Sequence, residues 1–208
     1  MSLLTNWGYT ITDIDTLPDL LAKHEFYELT AGRYEGDMRI EREISAACSA
    51  IRNYCGWHVF PSAECELCIP IEDRRVTRTG CDLLIQLPAK YVSSVSRVEI
   101  NDVEITAYHC DTNGMLRLYD ISPLGLHRYT PIDIIYTAGF PDELMGGIRE
   151  LVAHRVTHAL ASSNGITTEQ VGGVSVTYNS GWVNSARATA LPDDNKEMLA
   201  PYRLQGVF

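Results

Sequence analysis

The hydrophobic period changes twice along this chain, and no other feature limits its fold so strongly. In DMRIEREISAACSAIRNYCG (37–56) the apolar positions Ile40, Ile44, Ala47, Cys48, Ile51 and Cys55 recur at helical spacing. Asp37 suits an N-cap there, and Gly56 supplies the stop. From residue 57 to 137 the pattern becomes short β-type segments: ECELCIPI, DLLIQLP, and VSSVSRVEI, which meets VEITAY across Asn101-Asp102. GMLRLY follows a second turn signal, Asn113-Gly114, and PIDIIYTAG closes the set. The helical period returns over 141–162, with Pro141 in the first turn and Asp142 and Glu143 at the positive end of the dipole. Leu144, Ile148, Leu151, Val152 and Ala159 make its inner stripe, and Asn164-Gly165 ends it.

The flanking segments complete the order. Residues 1–16 read as a polar N-terminal arm with two exposed-type aromatics, Trp7 and Tyr9. A short helix is expected over 17–30, broken by AGRYEGD. After the long helix, VGGVSVTY reads as a hairpin, NSGWVNSARATA as a loop and PDDNKEMLAPYRL as a last short helix. The expected class is α+β: a helical core with an inserted small antiparallel β domain and a C-terminal hairpin plus short helix. Residues 17–56 and 138–208 would supply the core and tail, and 57–137 the insertion, all in one compact unit.

Charge narrows the function. The 27 acidic residues outnumber the 17 basic ones, for a net charge of −10. Gripping nucleic acid needs clustered Lys and Arg, and the nearest approach is EDRRVTR (72–78), short and flanked by acids. An acidic surface that merely surrounds DNA would let it slide past. No apolar run approaches the ~18 residues of a membrane span. The start, MSLLTNWGYTITDID, lacks the basic and apolar regions of a signal peptide, so a cytoplasmic protein with reduced thiols is expected.

Several short motifs invite a chemical reading. HRVTH puts His154 and His158 on one helical face, as in zinc proteases. Those enzymes need a glutamate after the first histidine; here Arg155 stands there, and no histidine follows to act as third ligand. Arg155 falls inside the apolar arc of that helix, either as a stem lying over the core or as a paired arginine at a contact with another element or subunit. Cys65 and Cys68 have the spacing of a zinc knuckle or redox pair, but residues three apart on a strand face opposite sides. TAGFP has one glycine and no lysine, so it is not a phosphate loop, and GGVSVTY is not a nucleophile elbow. No catalytic constellation, metal or cofactor emerges. A small metal-dependent hydrolase using His154, His158 and the cysteines, or a generic interaction module, are the alternatives to carry.

The order of the pieces is itself informative. ISAACSAIRNYCGWHVFP (44–61), LPAKYVSSVSRVEIND (87–102), IDIIYTAGFPDELMGGIRELVAHRV (132–156), VGGVSVTY (171–178) and LAPYRL (199–204) together resemble the head–tail connector (adaptor, or head-completion) proteins of tailed bacteriophages and prophages. The resemblance runs from about residue 37 onward. It implies a non-enzymatic protein of the virion head–tail junction, assembled in the bacterial host cytoplasm. In that family a ring, commonly of twelve copies, docks under the portal protein. It extends the DNA channel and offers a platform to the stopper (head-closure) or tail protein, while the isolated chain can be monomeric. Trp7, Tyr9, Arg155, Trp182, Tyr202, Arg203 and Phe208 are the expected subunit or portal contacts, being the aromatics and arginines of the arm, the long helix and the tail.

Overall fold

The computed structural model describes residues 2–121, 126–162, 168–171, 174–177, 191 and 193–204. The chain divides into two compact units, Met1–Pro18 with Cys55–Asp142 and Tyr202–Phe208, and Asp19–Tyr54 with Glu143–Pro201.

Among its described residues the first unit holds ten strands: β1 (Ser2–Leu4), β2 (Thr10–Thr12), β3 (Ala63–Pro70), β4 (Val76–Thr79), β5 (Asp82–Gln86), β6 (Val92–Ile100), β7 (Val103–Glu104), β8 (Tyr108–Cys110), β9 (Met115–Leu118) and β10 (Pro131–Ala138). They form two antiparallel sheets, of order β1-β2-β3-β10-β6-β7 and β4-β5-β9-β8. β10 is central because both its edges find partners of matching alternation. Ile132, Ile134, Tyr136 and Ala138 are buried, and the register sets Ile134 against Leu67 and Val98, both buried as well. The second sheet buries Leu83, Ile85, Leu116 and Leu118. Each such side chain contributes roughly 1.5–3 kcal/mol through burial. The Tyr108 hydroxyl donates to the Val95 carbonyl at 3.0 Å, linking one sheet to the other. Asn101 and Asp102, at φ +51° and +61°, make the two-residue β6–β7 turn that the sequence announces.

The second unit contains α1 (Lys23–Leu29), α2 (Ile40–Cys55), α3 (Gly146–Ser162), α4 (Asp193–Leu199) and the hairpin β11 (Thr168–Val171) with β12 (Val174–Thr177). The stripe expected on α2 is buried at all six positions. Glu25 of α1 reaches Arg149 of α3 at 3.3 Å, and the Tyr54 hydroxyl donates to the Lys196 carbonyl at 3.3 Å, joining α2 to α4.

The expected class is therefore corrected. The molecule is predominantly sheet, with two antiparallel sheets of six and four strands against four helices among the described residues, not a helical core carrying a small β insertion. Two segments account for the difference. The supposed polar arm supplies β1 and β2, which extend the large sheet through Thr10–Glu66 and Ile11–Cys65. The basic stretch 72–78 runs into β4, the partner of β5. The long helix also begins later than expected: Asp142–Leu144 form a single turn of 3-10 helix, and Leu144 is 50% exposed instead of lying on the inner stripe.

Candidate functional site

The joint at the end of β10 is closed by main-chain contacts that require a glycine. Gly139 has φ +120°, and a Cβ there would sit 2.1 Å from the Pro61 carbonyl oxygen. Its N–H donates to the Tyr91 carbonyl at 3.0 Å, and the Phe140 N–H donates to the Val59 carbonyl at 2.8 Å. The facing segment turns sharply. Phe60 N–H donates to the His58 carbonyl at 2.8 Å across Val59 at φ +66°, a γ-turn conformation that costs a β-branched residue about 1–3 kcal/mol.

His58, fully buried, is the hub of this joint. Its Nε2 lies 3.0 Å from both the Pro61 and the Ala138 carbonyl oxygens, and its Nδ1 lies 2.8 Å from the Tyr9 hydroxyl. Two carbonyls at Nε2 place the proton there, leaving Nδ1 to accept the Tyr9 O–H. The Tyr9 oxygen in turn accepts the His58 backbone N–H at 3.1 Å. One imidazole thus ties β10, the 57–61 segment and the N-terminal arm together.

Aromatic rings continue outward from it. Trp7 stacks near Tyr9 with centroids 6.2 Å apart, Tyr9 meets His58 edge-on at 5.8 Å, and His58 meets Trp57 at 5.4 Å. Trp57 touches Phe140 at 5.6 Å, and Phe140 lies 5.2 Å from both Tyr91 and Tyr202. The Trp57 indole N–H donates to the Tyr202 carbonyl at 2.8 Å, and the Leu204 N–H donates to the Cys55 carbonyl at 2.9 Å. The arm and the 202–204 segment therefore converge on the Trp57-His58 dipeptide.

This geometry sorts the residues singled out from the sequence. Tyr9 is 2% exposed, correcting its reading as an exposed aromatic; its hydroxyl and ring are engaged inside its own chain. Trp7 and Tyr202 are half-buried and Arg203 is exposed. Arg155 is buried beside Val152 and Val156 on α3, and burial pulls its guanidinium below its usual range. Trp182 and Phe208 lie outside the described residues. Sequence reasoning passed over His58, Trp57, Tyr91 and Phe140. Their signal was the dense GWHVFP directly after a helix stop, facing another aromatic in AGFP.

The chemical alternatives lose their geometry. Cys65 is buried and Cys68 exposed on opposite faces of β3, so the two thiols cannot share an ion or form a pair. Burial pushes the Cys65 thiol up to about 12, while a hydrogen bond to Asp133, with burial second, pushes Cys68 up to about 11. Neither is an active thiolate at neutral pH. On α3 His154 is exposed and His158 half-buried, with Arg155 between them in sequence. Among the described residues no group of three His, Cys, Asp or Glu converges as a metal site, and no helix is long and apolar enough to cross a membrane.

No protein-family model and no curated protein matches the chain. Its fold does match solved structures. A chain from the neck of an empty gene transfer agent (GTA) particle computed with C6 symmetry is 15% identical, with a TM-score of 0.51 over 95% of this chain and 99% of that one. A chain from the virion of a native gene transfer agent particle is also 15% identical, with a TM-score of 0.52 over 95% of this chain and 97% of that one. At this identity the likeness is one of fold, and it spans nearly the full length of both partners.

Proposed function

We propose that this protein is a structural, non-enzymatic subunit of the neck of a tailed phage or phage-like particle. One observation carries the reading: a fold shared along 95% of the chain with a component of a gene transfer agent neck. Copies form a ring, twelve in the connector family that the sequence resembles, a number compatible with the six-fold symmetry of that neck. The ring docks on the portal protein, extends the DNA channel and receives the stopper or tail protein. Half-buried Trp7 and Tyr202 and exposed Arg203 present aromatic and guanidinium groups to a neighbour, while Tyr9 and His58 hold that surface from within. Arg155 supports the second unit from inside α3.

The test is genetic and structural. Deleting the coding sequence from its particle-producing host is expected to leave DNA-filled heads without tails, visible by negative-stain electron microscopy. An epitope tag on the restored protein should label the head–tail junction. Normal tailed particles from the deletion strain, or a label confined to the tail tip or capsid shell, sink the proposal.

A further inference from the structure

The outward face of the six-stranded sheet is strongly acidic. Strand alternation places Glu64, Glu66, Asp133, Glu99 and Glu104 there with Arg97. The register sets Asp133 beside Glu99 and Glu99 beside Glu104, like charges directly opposed on neighbouring strands, which destabilises a sheet. Arg97 is engaged by Glu99, with Nε 2.9 Å from its carboxylate. The other four carboxylates make no ion pair among the described residues. Glu66 and Glu104 are exposed, the Glu64 carboxylate accepts the Thr12 hydroxyl at 3.2 Å, and half-buried Asp133 is hydrogen-bonded to Cys68, so this uncompensated negative surface would gain from a cationic partner.

The same unit carries the complementary charge. Arg74 and Arg78 are exposed, Arg78 on β4 at the edge of the four-stranded sheet, and neither has an ion pair among the described residues. The Glu72 N–H donates to the Arg128 carbonyl at 3.1 Å and the Glu72 carboxylate lies 3.4 Å from the Arg128 Nε, so Arg128 sits at this corner partly neutralised within its own chain. Arg128 lies 5.8 Å from the centre of the Tyr129 ring, and Tyr129 is 71% exposed. Arginine and tyrosine presented together are the side chains that dominate protein contacts, and guanidinium forks match carboxylates two bonds at a time.

We propose that these surfaces are the two halves of one contact between copies of this chain: the arginine corner of one copy seats on the carboxylate face of the next. The inference rests on the neck reading, because a contact between two different patches repeats head to tail and closes into a ring when its rotation allows. Duplex DNA is excluded from the acidic face by like charge. The contact is electrostatic, so it assembles fast and weakens with salt.

Three full-length proteins test it: wild type, the double variant Arg74→Glu with Arg78→Glu, and the double variant Glu64→Arg with Glu66→Arg. All four positions are exposed, and unchanged thermal melts would verify that folding is intact. Sedimentation velocity at low salt is expected to show self-association of wild type that declines as salt is added. Each reversed variant should associate ~10-fold or more weakly, and an equimolar mixture of the two variants should recover association, since each then offers the other a matched pair of surfaces. Absence of wild-type association at low salt, or association indifferent to salt and to both reversals, overturns the contact. If Glu64→Arg with Glu66→Arg blocks entry into necks while self-association is unchanged, the acidic face serves a different basic protein and the proposal falls. The neck reading fails separately, if wild type is absent from purified particles whatever the sedimentation shows.

Discussion

Two buried tyrosines, Tyr9 just before β2 and Tyr136 on β10, place opposite demands on their hydroxyls. Tyr9 donates to His58 Nδ1 at 2.8 Å and accepts the His58 backbone N–H at 3.1 Å. The Tyr136 hydroxyl is equally buried but has no hydrogen-bond partner among the described residues, and burial pushes its ionisation well above the usual range. The same substitution should therefore act with opposite sign. Tyr9→Phe strands an imidazole nitrogen and a main-chain N–H in the core and is expected to cost about 1–3 kcal/mol. Tyr136→Phe removes an unsatisfied group and should be neutral or stabilising by up to ~1 kcal/mol. Urea denaturation of both variants checks the pair; equal losses would show that the rings, not the hydroxyls, carry the stability. Nothing local in the sequence separates these residues. Tyr9 meets a histidine 49 positions away, and that partner exists only once β2 has paired with β3.

Elements differ in how far their own sequence declares them. α2 is legible because a stripe of six side chains is buried, the Asp37 carboxylate accepts the Arg39 N–H ahead of it at 2.9 Å, and Gly56 at φ +78° ends it. The β6–β7 turn is legible because Asn-Asp tolerates positive φ at both positions. β1, β2 and β4 are three or four residues long, too short for a period, and owe their conformation to a neighbouring strand. Overlooking them turned a sheet protein into a helical one. If the arm is an integral part of the sheet, Ile11→Ala should cost about 2–4 kcal/mol, as for any fully buried Ile; a free tail would lose almost nothing. Thermal melts distinguish the two. α3 offers a pH test. Burial, and secondarily the charge of His154, holds His158 below its ordinary pKa of 6.5. The folded state then binds this proton less readily than the unfolded chain, so stability should be full above the ordinary value and decline as pH falls below it. Chemical denaturation between about pH 8 and about pH 5 should show a smaller decline in His158→Gln than in wild type. An identical decline in both proteins would assign the effect to other groups.

For the whole molecule, what the chain shares with the gene transfer agent neck chain is a fold and not a set of residues. At 15% identity with 95% of the chain aligned, the overall fold recurs while most side chains do not. A catalytic protein would be pinned at its reacting groups. A subunit of the ring proposed here would be held to shape and to the charge of its surfaces, which many sequences supply, so the connector resemblance rests on fragments that are individually degenerate. Charge is the part of the proposed function most open to measurement. Of the 17 basic residues, Lys23, Arg39, Arg42, Arg75, Arg97, Arg117, Arg128 and Arg149 are each paired with a carboxylate of their own chain, in a molecule of net charge −10. Counterion release, the main source of affinity for DNA, then has little to work with. Fluorescence anisotropy with a labelled duplex is accordingly expected to show no binding at physiological salt, and only weak retention at low salt that Arg74→Glu with Arg78→Glu removes. DNA moving through a ring of such subunits would meet repulsion that is smooth and non-specific, which lowers friction without requiring any contact to be made or broken. Tight binding with a steep salt dependence would refute a passive channel.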